Sequence, residues 1–127
     1  MVIIINDTLD IPIYMQIRNQ IVEGISDGRL EPGEQLPTVR ALAQEIGINT
    51  MTVSKAYQML KQEGYIYTDR RSGARIRTSF HQVDTLSEEN RALLRQVISE
   101  AKVRGITKER FLSECESIFE GGMKDGN

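Results

Sequence analysis

The chain has 127 residues, enough for one ordinary domain or two very small ones. Hydrophobic and charged contents of 39% and 27% are those of a globular protein, and a net charge of −2 argues against a generic polyanion binder. The single cysteine, Cys115, excludes an internal disulfide, and the apolar run Val2–Ile5 is too short for a signal peptide or membrane span; a cytoplasmic protein with no membrane partner is expected.

Residues 2–5 read as a short strand or an extended arm. Pro12 opens a first helix from its first-turn position, where the missing N–H costs nothing, and Ile13, Ile17, Ile21 and Ile25 step by four down one face. Asp27-Gly28 ends it, and Leu30-Glu31-Pro32-Gly33 makes a turn. A second helix runs from Thr38 to Ile46, with Val39, Leu42, Ala43 and Ile46 on one side and Gly47 closing it. Asn49 caps a third helix that runs to about Glu63 and is stopped by Gly64. The β-prone runs Tyr65–Thr68 and Ala74–Thr78 flank the polar turn Asp69-Arg70-Arg71-Ser72-Gly73, a hairpin pattern. Three helices and a hairpin, with three residues between the second and third helices, predict a winged helix-turn-helix.

After a linker at 79–84, two further helices are predicted. Thr85 and Glu88 form a capping box for the first, whose apolar face carries Leu93, Leu94, Val97, Ile98 and Ala101 up to Gly105. Thr107 caps the second, where Phe111, Leu112, Cys115, Ile118 and Phe119 repeat the pattern until Gly121-Gly122. The expected fold class is mainly α with a small β-wing (α+β). Residues 1–78 form the winged domain, 85–121 a two-helix dimerisation hairpin, and 122–127 a frayed tail.

The third helix carries a surface that packing does not require. Val53, Ala56, Tyr57 and Leu60 serve a core, while Thr50, Met51, Ser54, Lys55 and Gln58 face the other way. A solvated helix face normally leans on Glu and Lys at i,i+4 spacing. Short polar side chains instead suit a helix whose axis must approach the floor of a DNA major groove. Thr50, Thr52 and Ser54 offer hydroxyls, Met51 suits a thymine methyl, and Lys55 and Arg40 supply charge. Charge segregates accordingly. Residues 1–35 hold two basic and six acidic side chains, whereas residues 36–78 hold seven basic and three acidic.

Other chemistry finds no purchase. His81 and Cys115 cannot supply a zinc site, which needs four ligands, and no phosphate-cradling glycine loop or nucleophile motif is present. Neither enzymatic activity nor a cofactor is expected. Tyr57 belongs to the apolar stripe, with its hydroxyl in reach of a phosphate. Two helices over some forty residues cannot enclose a sizeable ligand pocket and still form a core, so their stripes are expected to meet a second copy. No residue points to a small-molecule effector. The rival expectation is a winged-helix module that binds protein and not DNA.

Residues 12–78 resemble the DNA-binding domain of the GntR family of bacterial transcriptional regulators. The likeness rests on Pro12-Ile13-Tyr14 with Gln16-Ile17, the run Gly28 to Pro37, Arg40, Leu42-Ala43, Gly47-Ile48-Asn49, Thr52-Val53, Ala56-Tyr57, Leu60 and Glu63 to Ile66. Ala56-Tyr57 and the short helical tail look most like the YtrA subfamily. The resemblance implies a homodimeric repressor on a palindromic operator, often of a transporter operon. It implies DNA contacts from Arg40, Thr50, Met51, Thr52, Ser54 and Lys55, with the wing in the neighbouring minor groove. The family wing usually carries Gly-x-Gly and then an apolar residue; here Arg71, Gly73 and Arg75 occupy those places. Arginine is drawn to narrow minor grooves, so Arg70, Arg71 and Arg75 are the expected wing contacts around Gly73.

Overall fold

The structure is a computed structural model that describes residues 1–121; the tail expected over 122–127 lies outside the described residues. It divides into two compact units, Met1–His81 and a second beginning at Gln82.

In the first unit, helix α1 (Ile13–Ser26) buries Ile17 and Ile21 fully, with Ile13 and Ile25 packed at the margin of the same core. Pro12 sits one position earlier than the sequence predicts. It is the N-cap, with φ −53° and ψ 146°, and its carbonyl accepts the amides of Met15 and Gln16 at 3.0 Å each. Extended backbone there lets the carbonyl close the first turn while the ring stays outside the helix. Thr38 likewise stands outside α2 (Val39–Ile46), its hydroxyl accepting the Ala41 amide at 3.0 Å. Gly47 ends α2 at φ 72°, a left-handed conformation that an L side chain resists. Three residues later α3 (Thr50–Gln62) begins, capped by Asn49, whose amide oxygen accepts Thr52 N–H at 2.9 Å. Val53, Ala56, Tyr57 and Leu60 of α3 turn inward against α1 and α2.

Strands β1 (Ile66–Asp69) and β2 (Gly73–Ile76) pair antiparallel, with Ile66 opposite Ile76 and Asp69 opposite Gly73. The second edge of β2 is also covered. Gly33 N–H donates to the Ile76 carbonyl at 2.9 Å, Ile76 N–H to Glu34 at 2.9 Å, and Leu36 N–H to Ala74 at 2.8 Å. The segment after the Leu30–Gly33 turn thus lies along the wing, and Leu30, Leu36, Ile66 and Ile76 close the core beneath it.

Residues 2–5 are an extended arm held by side chains, not a strand held by a ladder. Gln20 accepts Ile4 N–H at 2.9 Å and returns its amide to the Ile4 carbonyl at 2.5 Å. Gln16, only 6% exposed, accepts Asn6 N–H and donates to the carbonyls of Asn6 and Ile11, all at 2.9 Å. Four residues of helix rise about 6 Å, close to two residues of extended chain, so glutamines at i and i+4 match alternate arm residues. Ile3 is thereby pressed into the core.

The second unit consists of α4 (Glu88–Val103) and α5 (Lys108–Phe119). Ser87, not Thr85, caps α4, its hydroxyl accepting Asn90 N–H at 3.1 Å; Thr85 donates instead to the Leu86 carbonyl. This start puts Glu88 and Glu89 in the first turn, where the helix dipole favours negative charge. Thr107 caps α5 through Arg110 N–H at 3.1 Å.

Candidate nucleic-acid interface

The outer face of α3 is built from residues that its core face does not need. Thr50, Met51, Lys55 and Gln58 are exposed, and Thr52 and Ser54 are half-buried beside them. Met51 is 81% exposed and is the one large hydrophobic side chain so exposed between residues 12 and 81. Arg40 is exposed on α2.

How the cations are spent separates structural from available charge. Arg18 forms a two-pronged pair with Glu63 at 2.9 and 3.3 Å, and Arg29 pairs with Asp27 at 3.0 Å. Arg75 turns back along the wing, donating Nε to Ser72 Oγ at 2.6 Å and Nη1 to the Gly33 carbonyl at 2.7 Å. By contrast, among the described residues no side-chain hydrogen bond or ion pair engages Arg40, Lys61, Arg70, Arg71 or Arg77. Lys55 has no acidic partner either; its ammonium lies 4.0 Å from the centre of the Tyr14 ring. Of the three wing arginines singled out from the sequence, the structure leaves Arg70 and Arg71 exposed at the tip and gives Arg75 a scaffolding position.

The tip is shaped by Asp69. Its carboxylate accepts Arg71 N–H at 2.8 Å, and this bond, with contributions from Ser72 and the Arg75 charge, holds the carboxyl below its ordinary range. Gly73 follows at φ 78° with nothing near the position of a Cβ, so its conformation and not space demands glycine.

Between α3 and the wing lies a groove of about 320 Å³, lined by Thr38, Ser54, Gln58, Lys61, Thr68 and Gly73 among others. Lys61 and Thr38 were not singled out from the sequence. Lys61 follows Ser54 by seven residues, which puts both on one helix face, and that spacing was the available signal. Tyr57 does not reach outward: its hydroxyl donates to the Pro37 carbonyl at 2.7 Å. Burial, with the Glu45 charge adding, pushes this phenol well above its ordinary value.

The second unit presents apolar surface. Leu93, Leu94, Val97, Ile98, Leu112 and Ile118 are all exposed, and Phe119 is 94% exposed. Phe111 and the thiol of Cys115 are half-buried along a groove of about 730 Å³ between the two helices. No helix among the described residues is long and apolar enough to cross a membrane.

A helix-turn-helix with a short-chained outer face on its second helix, beside a basic β-hairpin, defines a winged-helix DNA-binding protein. Residues 13–76 match the family described as "Bacterial regulatory proteins, gntR family", and the chain belongs to this family of DNA-binding transcriptional regulators. It is 38% identical over 121 residues to the HTH-type transcriptional repressor YtrA of Bacillus subtilis, covering 90% of this chain and 92% of that one. Among solved structures it is similar to a transcriptional antiterminator from Listeria monocytogenes, with TM-score 0.81, 32% identity and 93% and 90% of the two chains covered. The DNA-binding domain of AraR in complex with operator ORX1 is similar at TM-score 0.50 and 26% identity, covering 57% of this chain and 86% of that one.

Proposed function

We propose that this regulator is a homodimeric, cytoplasmic repressor that occupies a palindromic operator. The observation that carries the reading is the short-chained outer face of α3, whose side chains make no hydrogen bond or ion pair among the described residues, with unengaged cations on α2, on α3 and at the wing tip. The N-terminal half of α3 enters the major groove, where Thr50, Thr52 and Ser54 meet base edges or phosphates and Met51 meets a thymine methyl. Arg40 and Lys55 hold the flanking phosphates. Arg70 and Arg71 enter the adjacent minor groove over Gly73, while Arg75 keeps the wing in shape.

Dimerisation is supported by the second unit, whose helices leave eight large apolar side chains exposed, from Leu93 to Phe119. An isolated hairpin exposing such a patch lacks the burial that stabilises a helical pair. A second copy covers it with a two-fold interface involving Leu93, Leu94, Val97, Ile98, Phe111, Leu112, Cys115, Ile118 and Phe119. Two recognition helices then address half-sites about one helical turn, or a multiple of it, apart. Repression follows from occupancy of the operator, in keeping with the repressor YtrA; the resemblance to the YtrA subfamily stated from the sequence extends the proposal to a transporter operon.

Gel shift at two salt concentrations, with sedimentation of the free protein, tests the reading. The expected results are a dimer and binding that weakens steeply with salt yet persists for one palindrome over competitor. A stable monomer on DNA rules out the dimer. Absence of any shift at low salt rules out operator binding and leaves a protein-binding module.

A further inference from the structure

Lys55 is the cation of α3 nearest its N-terminal half, and the structure gives it an unusual neighbour. Tyr14, in the first turn of α1, lies with its ring centre 4.0 Å from the Lys55 ammonium. One turn further along α1, Arg18 grips Glu63 just beyond the end of α3. Residues at i and i+4 of one helix thus hold α3 at two points by different chemistry. The Arg18–Glu63 pair neutralises both charges. The ring at Tyr14 attracts the ammonium through its quadrupole and leaves the full positive charge in place.

We infer that Tyr14 is a positioning residue for DNA binding, which pre-orders the Lys55 ammonium for a backbone phosphate without neutralising it. The inference rests on the docking of α3 proposed above. A lysine carries four rotatable bonds, and fixing it at an interface costs about as much rotamer entropy as any side chain. A carboxylate at position 14 would fix it too, but would compete with the phosphate for its charge. An aromatic ring restrains the ammonium and remains compatible with a second, anionic partner on its open side. The interface thereby extends from the helix-turn-helix to the first turn of α1.

The test uses the full-length protein and a duplex that the native protein has selected from a random pool. Tyr14→Phe keeps the ring and is expected to bind within about twofold of native. Tyr14→Leu loses it and is expected to weaken binding about two- to fivefold for each protomer, matching a cation–π contact at an exposed site. Its salt slope stays unchanged, because Lys55 still reaches the phosphate once ordered. Lys55→Met lowers the slope by about 0.9 for each protomer. In the Lys55→Met background Tyr14→Leu is expected to cost nothing further in affinity, whatever it does to the melting temperature. An equal loss from Tyr14→Leu with and without Lys55, or no loss from it at all, overturns the positioning role. Unchanged affinity and slope in Lys55→Met would instead refute docking through this face of α3.

Discussion

The two arginines at positions 71 and 75 are four residues apart on one hairpin, and the structure assigns them opposite consequences. Arg75 donates to Ser72 Oγ at 2.6 Å and to the Gly33 carbonyl at 2.7 Å, tying the hairpin to the segment that lines its second edge. Hydrogen bonds from charged donors contribute about 1.5 to 3 kcal/mol each, and partial exposure favours the lower end. Two bonds at that lower end make the cost of Arg75→Ala about 3 kcal/mol. For a unit of about 80 residues this lowers the melting temperature by roughly 10 to 20 °C. Arg71 offers only its backbone N–H to Asp69, and no side-chain bond engages its guanidinium among the described residues. Arg71→Ala should leave stability within about 0.5 kcal/mol and reduce the salt slope of DNA binding by about 0.9 for each wing. Thermal melting by circular dichroism, paired with anisotropy titrations at several salt concentrations, reads both quantities. If Arg75→Ala melts like the native protein while weakening DNA binding as Arg71→Ala does, the division of labour along the wing is wrong.

Three further outcomes follow from particular contacts. Gln16→Glu keeps the acceptor for Asn6 N–H but turns a carboxylate oxygen toward the carbonyls of Asn6 and Ile11. It should release the arm, costing about 2 to 3 kcal/mol, with faster hydrogen exchange at Ile4 and Asn6. Exchange as slow as in the native protein would count against the glutamine clamp. Tyr57 has a phenol raised above its ordinary value, so its contribution is complete below about pH 10 and is lost as pH rises beyond that. Denaturant midpoints should fall on that limb by up to about 1.4 kcal/mol per pH unit, and Tyr57→Phe should remove the fall at a cost of about 1 kcal/mol at neutral pH. Val97→Asp on the exposed face of α4 should shift sedimentation from dimer to monomer while the melting of the winged unit is kept. An unchanged dimer would place the interface elsewhere.

The helices were legible because the relevant information is local. Apolar spacing in α1, α2 and α3 and the caps at Asn49 and Thr107 all act within one or two turns, whereas Thr38, read as the first residue of α2, stands outside it as its cap. The start of α4 shows the limit of that reading. Thr85 and Ser87 are both competent caps, and Glu88 suits a box with the first, yet the structure uses Ser87. What could not be read were side chains engaged over long separations. Gln16 and Gln20 look like solvated residues until the arm lies alongside them. Arg75 looks like a groove contact until Gly33, forty-two residues earlier, is brought within 2.7 Å. Tyr57 is found in the core as its spacing predicts, but its hydroxyl is taken by Pro37 rather than left for a phosphate. The outer face of α3 was largely legible for the converse reason: among the described residues no hydrogen bond or ion pair diverts its side chains, and only the Tyr14 ring beside Lys55 went unread.

The most direct measurement is selection of bound duplexes from a random pool by the full-length protein. Two inverted half-sites, centred about one helical turn or a multiple of it apart, are the expected product. Recovery of no enriched sequence, or of a single unpaired half-site, would contradict a two-fold pair of α3 helices reading DNA.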